Sequence, residues 1–209
     1  MKTNLFIAAL SLVVLAGCSG EDEIDTLVAK SDNAINFGTY VGKQTKALEK
    51  SEFTDNDTFG VFAFYTKSEN YDNTADTPNF MYDQSIKKET AGWTYNPVKY
   101  WPNTSGEKIT FFAYYPTTKT GMTFQNTAET AYTNASKGFP DIKFVVQDKA
   151  TEQVDLMYST LLNKEKPASE TKIEFDFAHA LSKVNIKAQM QKALNSETTV
   201  NIKSITLNN

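Results

Sequence analysis

Two continuous apolar runs, Phe59 to Tyr65 and Ile109 to Tyr115, dominate the hydropathy pattern of this 209-residue chain. Neither alternates with polar residues, so both predict strands covered on both faces. Asp55-Asn56-Asp57 turns into the first, and Pro116, which cannot donate to a ladder, stops the second. Elsewhere the pattern alternates. Ile35, Phe37, Thr39 and Val41 share one parity against Asn36, Gly38 and Tyr40; Ile142, Phe144 and Val146 oppose Lys143, Val145 and Gln147; Ile173, Phe175 and Phe177 oppose Glu174 and Asp176. Each set predicts a strand with one mostly apolar face. Shorter strands are expected at Phe80-Met81-Tyr82, Trp93-Thr94-Tyr95 and Asp155-Leu156-Met157-Tyr158. After His179-Ala180-Leu181-Ser182 the alternation restarts with Val184, Ile186 and Ala188, which reads as a hairpin or a bent strand. Gln189 to Leu194 suits one helical turn, and the parity change between Val200, Ile202 and Ile205, Leu207 predicts a bulge near Lys203-Ser204. Gly121 to Lys137 is long and polar and yields no clear element. Nearly ten short strands, with turn signals between them and no sustained helical period, imply an all-β sandwich rather than βαβ layers.

The N-terminus follows another rule. Lys2 precedes an apolar run from Leu5 to Ala16, short of the roughly 20 residues a helix needs to cross a bilayer, so residues 1–17 read as a secretory signal. Leu15-Ala16-Gly17-Cys18 resembles the lipobox of bacterial lipoproteins, in which the cysteine is acylated and becomes the new N-terminus. That resemblance makes Cys18, the single cysteine, a lipid anchor. The acids of Ser19-Gly20-Glu21-Asp22-Glu23 are similar to the export tags of some surface lipoproteins, and Asp25-Thr26-Leu27 resembles an O-glycosylation acceptor. Residues 18–46 read as a polar tether followed by the first strand, with Gly42-Lys43-Gln44-Thr45-Lys46-Ala47 as an exposed linker of the kind proteases cut. Residues 47–209 are the folded remainder.

Composition narrows the function classes. Every one of the 21 positive charges is a lysine, and against 25 acids the net charge is −4. With no arginine fork and no lysine cluster, the chain lacks the footprint of a nucleic-acid binder. With Cys18 taken by lipid, no disulfide staples the core and no thiolate holds a metal. No metal or cofactor is expected, and no enzymatic activity. Phe59 falls where a calcium loop starting at Asp55 needs an Asp or Asn, although Gly60 fits the next position, so Asp55-Asn56-Asp57 reads as a plain turn. Asp141, Asp155, Glu174 and Asp176 are the acids available for a glycosidase pair, but nothing in the sequence fixes their separation. His179 is the single histidine, without triad or metal partners, and reads as structural. Trp93, Trp101 and the tyrosine-rich run fit sheet packing first, and a sugar-binding platform as the alternative.

Taken together, several stretches resemble the fimbrillin family, the FimA/Mfa-like subunits of type V pili. The carriers are the lipobox at Cys18; Ile35-Asn36-Phe37 followed by Thr45-Lys46-Ala47; Phe59-Gly60-Val61-Phe62-Ala63; Trp93 and then Tyr100-Trp101-Pro102; Phe111-Phe112-Ala113-Tyr114-Tyr115-Pro116; Asp155-Leu156-Met157-Tyr158; and Phe175 through Val184. Their order spans most of Ile35 to Val184. The resemblance implies a transthyretin-like Greek-key β-sandwich, the family's N-terminal domain, exported as a lipoprotein precursor to the outer membrane and cell surface. It also implies a trypsin-like protease cutting after a basic residue, which places the cut at Lys46-Ala47. Members usually carry arginine there, so this chain departs from an arginine-specific site. Members also continue into a second β-domain that donates its last strand to a neighbour. By that comparison this chain is either truncated before the second domain or a subunit that accepts a strand without giving one.

The implied mechanism is strand exchange. If the strand holding Ile35, Phe37, Thr39 and Val41 leaves after cleavage at Lys46, it exposes an apolar groove edged by unpaired backbone groups, which another pilus subunit's strand can fill. The plain reading of the same residues is a permanent strand and a surface lysine. The rival function is a non-polymerising surface lipoprotein that binds host glycans or proteins.

Overall fold

The computed structural model describes residues 33–42, 50–118, 120–126, 130–169, 172–182, 186 and 201–206. The two continuous apolar runs form β2 (Thr58–Lys67) and β5 (Lys108–Tyr115), adjacent antiparallel strands at the middle of the molecule. Their alternate residues face opposite ways. Phe59, Val61, Ala63, Ile109, Phe111 and Ala113 enter one core, whereas Phe62, Phe64, Phe112 and Tyr114 enter a second. An unbroken apolar run is what such a doubly covered strand requires.

Around this pair stand β3 (Met81–Glu89), β4 (Gly92–Thr94), β9 (Met157–Glu165), β10 (Ile173–His179) and β1 (Phe37–Val41). The strand order is β1-β10-β9-β5-β2-β3-β4. β10 meets β9 only through Ala178 opposite Tyr158 and His179 opposite Met157. The rest of β10 runs parallel to β1, and the rings of both strands pack over the first face of the central sheet. The second face is covered by a three-stranded sheet in the order β7-β6-β8, made of β6 (Met122–Asn126), β7 (Thr130–Ala131) and β8 (Asp141–Phe144). The all-β expectation holds.

Several expectations change. The polar stretch from Gly121 contains β6 and β7, whose inward residues Met122 and Phe124 are separated by Thr123, too short an alternation to stand out. β3 and β9 run well beyond the apolar triplets that signalled them, because their outward faces carry Lys, Glu, Thr and Asn. Val146 is not an inward residue of β8: the strand ends at Phe144, and Val145 and Val146 are both exposed. Residues 201–206 form no strand, and Ile202 and Ile205 stand exposed with no partner sheet, so the bulge expected near Lys203-Ser204 has no ladder to sit in. Ile186 is likewise irregular and exposed, whereas Val184, Ala188, Val200, Leu207 and the turn expected over Gln189 to Leu194 lie outside the described residues.

One glycine carries a tertiary contact. Gly60 on β2 faces Tyr114 on β5, and a Cβ added there would overlap the tyrosine ring, which lies across the gap left by the missing side chain. The Tyr114 hydroxyl thereby crosses β2 and donates to Asp83 on β3. Gly60→Ala is expected to displace that ring and lower unfolding stability by about 1–3 kcal/mol, the usual cost of overpacking. Urea denaturation measures it, and an unchanged midpoint would mean that the ring has room to move.

Candidate functional site

β1 and the groove it fills are the site that the pattern of Ile35, Phe37, Thr39 and Val41 anticipates. Ile35, Phe37 and Val41 are buried, Thr39 is half-buried, and Tyr40 on the opposite parity is exposed. Phe37 is the hub. Its ring stacks on Phe175 of β10 with centroids 5.6 Å apart and meets Phe59, Phe111 and Tyr95 at 6.2, 6.1 and 5.4 Å. Each fully buried large apolar side chain is worth about 1.5–3 kcal/mol, so β1 contributes substantially to the first core.

Its backbone attachment is one-sided. Residues Phe37 to Val41 pair in parallel with Ile173 to Phe177, flanked by Ile173 N–H donating to Asn36 O and Gly42 N–H donating to Phe177 O. Among the described residues β1 is the end strand of its sheet, and its other edge is bridged by one side-chain hydrogen bond, from Trp93 Nε1 on β4 to Thr39 Oγ1 at 3.2 Å. Beside that edge lies a cavity of about 390 Å³ bounded by Phe53, Lys88, Trp93 and β1 itself. The start of the segment is held more firmly: Ile35 N–H donates to Lys99 O, Trp101 N–H donates to Asn33 O, and Tyr95 Oη donates to Ile35 O at 2.8 Å. Burial pushes the Tyr95 phenol up to about 12, so it stays a donor at all physiological pH.

The end of β10 has contacts that do not involve β1. His179 Nδ1 hydrogen-bonds Asp155 Oδ1 at 2.9 Å, and Ala180 N–H donates to Leu156 O, which locks the end of β10 against β9. Asp155 Oδ2 also accepts the Lys50 backbone N–H at 3.0 Å. Lys50 Nζ in turn lies 2.7 Å from Asp57 Oδ2 and sits over the Phe53 and Tyr115 rings, while Tyr115 Oη donates to Asp57 Oδ1 at 3.0 Å. The chain that resumes at Lys50 is thus pinned to the body by contacts separate from those that hold β1. Burial pushes the Asp57 carboxyl up, but the Lys50 ammonium, the Thr54 N–H and the Tyr115 hydroxyl together outweigh it and hold the group below its ordinary 3.8.

Cys18, Lys46 and Ala47 lie outside the described residues. Trp101 is buried against Phe111, and the half-buried Trp93 meets Phe53 and Phe59 edge-on at 5.3 and 4.6 Å, so both serve the packing expected of them first. Asp155 serves His179 and Lys50, Asp141 sits on β8, and Glu174 and Asp176 line the outward parity of β10 beside Gly38 and Gly42. Asp57 sits in a tight turn, paired with Lys50. Among the described residues no group of three or more His, Cys, Asp or Glu is placed to hold a metal ion. The Lys50–Asp57–Asp155–His179 network gave no sequence signal, because its members come from three separate loops and a strand end.

A family model described as fimbrillin-like matches residues 45–209. The chain belongs to the fimbrillin-like family. This fimbrillin-like chain is 26% identical over 217 aligned positions to the fimbrium subunit Fim1C of Phocaeicola vulgatus, an alignment that covers 99% of this chain and 57% of that protein. It also resembles the crystal structure of a fimbrial protein from Bacteroides vulgatus ATCC 8482, with a TM-score of 0.54 and 25% identity, over 71% of this chain and 45% of that one. The chain spans about half the length of these relatives.

Because Asp57 is held below its ordinary value, its contribution to stability is full above about pH 3.8 and fades as the pH falls through the lowered value. Asp57→Asn is expected to cost about 1–2 kcal/mol at pH 7, from the loss of charge-assisted bonds. The gap to the parent chain should close in acid below pH 3.8. Denaturant midpoints across that range check it, and a gap independent of pH would remove the carboxylate from the account.

Proposed function

We propose that this chain is a fimbrial subunit that assembles on the cell surface by strand exchange. The single observation that carries the reading is that β1 holds Phe37, the aromatic hub of the first core, yet among the described residues is an end strand paired along one edge only. Such a strand can leave by breaking one ladder and the bonds that tie residues 33–35 to Tyr95, Lys99 and Trp101. Its departure bares the edge of β10 and the rings of Phe175, Phe59 and Phe111, a surface with strong demand for an extended apolar replacement.

In this reading the precursor is exported as a lipoprotein anchored through Cys18 in the outer membrane, its transthyretin-like domain follows residue 46, and a trypsin-like protease cuts between Lys46 and Ala47. The released segment includes β1. The new N-terminal stretch stays with the body through Lys50, and the groove receives a strand from another subunit. The role is structural, within a fimbrium that serves adhesion, and needs no catalytic residue or cofactor. The relatives' names, a fimbrium subunit and a fimbrial protein, support it.

The test is an exchange assay. The chain is cut with a lysine-specific protease and challenged with a labelled peptide carrying the sequence of residues 33–42. The cut protein is expected to release its own segment and take up the peptide, whereas a peptide with Phe37→Ala should bind about 100-fold more weakly, as a lost core phenylalanine implies. Retention of the cut segment, or uptake indifferent to Phe37, would contradict the proposal.

A further inference from the structure

On the face of the central sheet opposite β1, the register of β2 with β3 slips. Val61 faces Gln84 and Ala63 faces Met81, so Tyr82 and Asp83 together oppose the single residue Phe62. In a regular strand two neighbours point to opposite faces. This bulge turns both toward the second core, with Asp83 in the left-handed region at φ +47°, an uncommon conformation for a residue other than glycine. The shift also explains why Met81 and Ile86, of unlike parity, both face the first core.

Between the bulge and the small sheet lies an open cleft of about 750 Å³. Its wall is aromatic. Tyr82 is 44% exposed, and its ring lies parallel to Tyr132, with centroids 6.1 Å apart, while its hydroxyl donates to Tyr132 O at 3.0 Å. Phe124 is wedged edge-on between Tyr114 and Phe62, at 4.8 and 5.3 Å. The polar groups lining the cleft are of mixed kind. Asp83 is oriented by the Tyr114 hydroxyl, and Gln125 and Lys143 come from the adjacent strands β6 and β8.

Pinned aromatic surface beside a carboxylate, an amide and an ammonium suits a ligand with an apolar C–H face and a rim of hydroxyls. One acid and one base leave no net charge to select an ion, and the size lies within the range of small-molecule sites. We propose that this cleft binds a neutral sugar, its ring against Tyr82 and its hydroxyls on Asp83, Gln125 and Lys143. The site is independent of strand exchange, because β1 and its groove belong to the other core.

The test uses the full chain in detergent with three probes: methyl β-galactoside, N-acetyllactosamine and the charged 3′-sialyllactose. Saturation-transfer NMR and calorimetry are expected to show binding of at least one neutral probe. Binding should weaken about five-fold or more in the double variant Gln125→Ala, Lys143→Ala, the loss of one or more hydrogen bonds. Tyr82→Ala should abolish it. Because Tyr82 also packs on Phe62, the rim variant with unchanged circular dichroism is the deciding one. The proposal is overturned if no neutral probe binds, if only the sialylated probe binds, or if the folded rim variant binds as the parent does.

Discussion

The first core depends on rings from two strands that are remote in sequence and lie side by side. Phe37 of β1 stacks on Phe175 of β10, and both rings meet Phe59 and Phe111 of the central sheet. β10 has only two residues paired with β9, so its place over the sheet is set by this packing and by the His179–Asp155 contact at its end. A parallel neighbour such as β1 cannot arrive through a tight hairpin. It comes from the far end of the chain. The same geometry that closes the core therefore places one of its walls at a sheet edge.

The other constraint is that β2 and β5 are buried twice. Because they serve two cores, the molecule has two faces with separate tasks: the first, under β1 and β10, built for continuity of the aromatic core, and the second, under the small sheet, left open at the bulge of β3. Tyr114 braces the second face, reaching from a central strand across Gly60 to Asp83. A change on one face need not travel to the other, because the central strands between them are held by long ladders on both sides.

What the sequence disclosed follows from burial. Strands with both faces covered, or with strict alternation as in Ile173, Phe175 and Phe177, print a pattern that hydropathy reads directly. β6 and β7 cover a small part of the second core with few apolar residues, so they left no such print, and exposed valines after Phe144 mimicked a continuing strand. The parity of β1 was legible, Thr39 included, but its parallel pairing was not, since register between distant strands has no local signal. The tryptophans pack as their size suggests, Trp101 within the core and Trp93 against its edge, whereas the exposed Tyr82 comes from a bulge that no motif announces.

The central claim is that β1 is present in the folded precursor and absent from the assembled form. Mass spectrometry of the N-terminus of protein shaved from the surface of intact cells tests it most directly. The account predicts a mature chain that starts at Ala47, with β1 removed and a foreign strand copurifying in its place. A lipidated start at Cys18 in the assembled material would contradict it, because the strand that holds Phe37 would then still be in its groove.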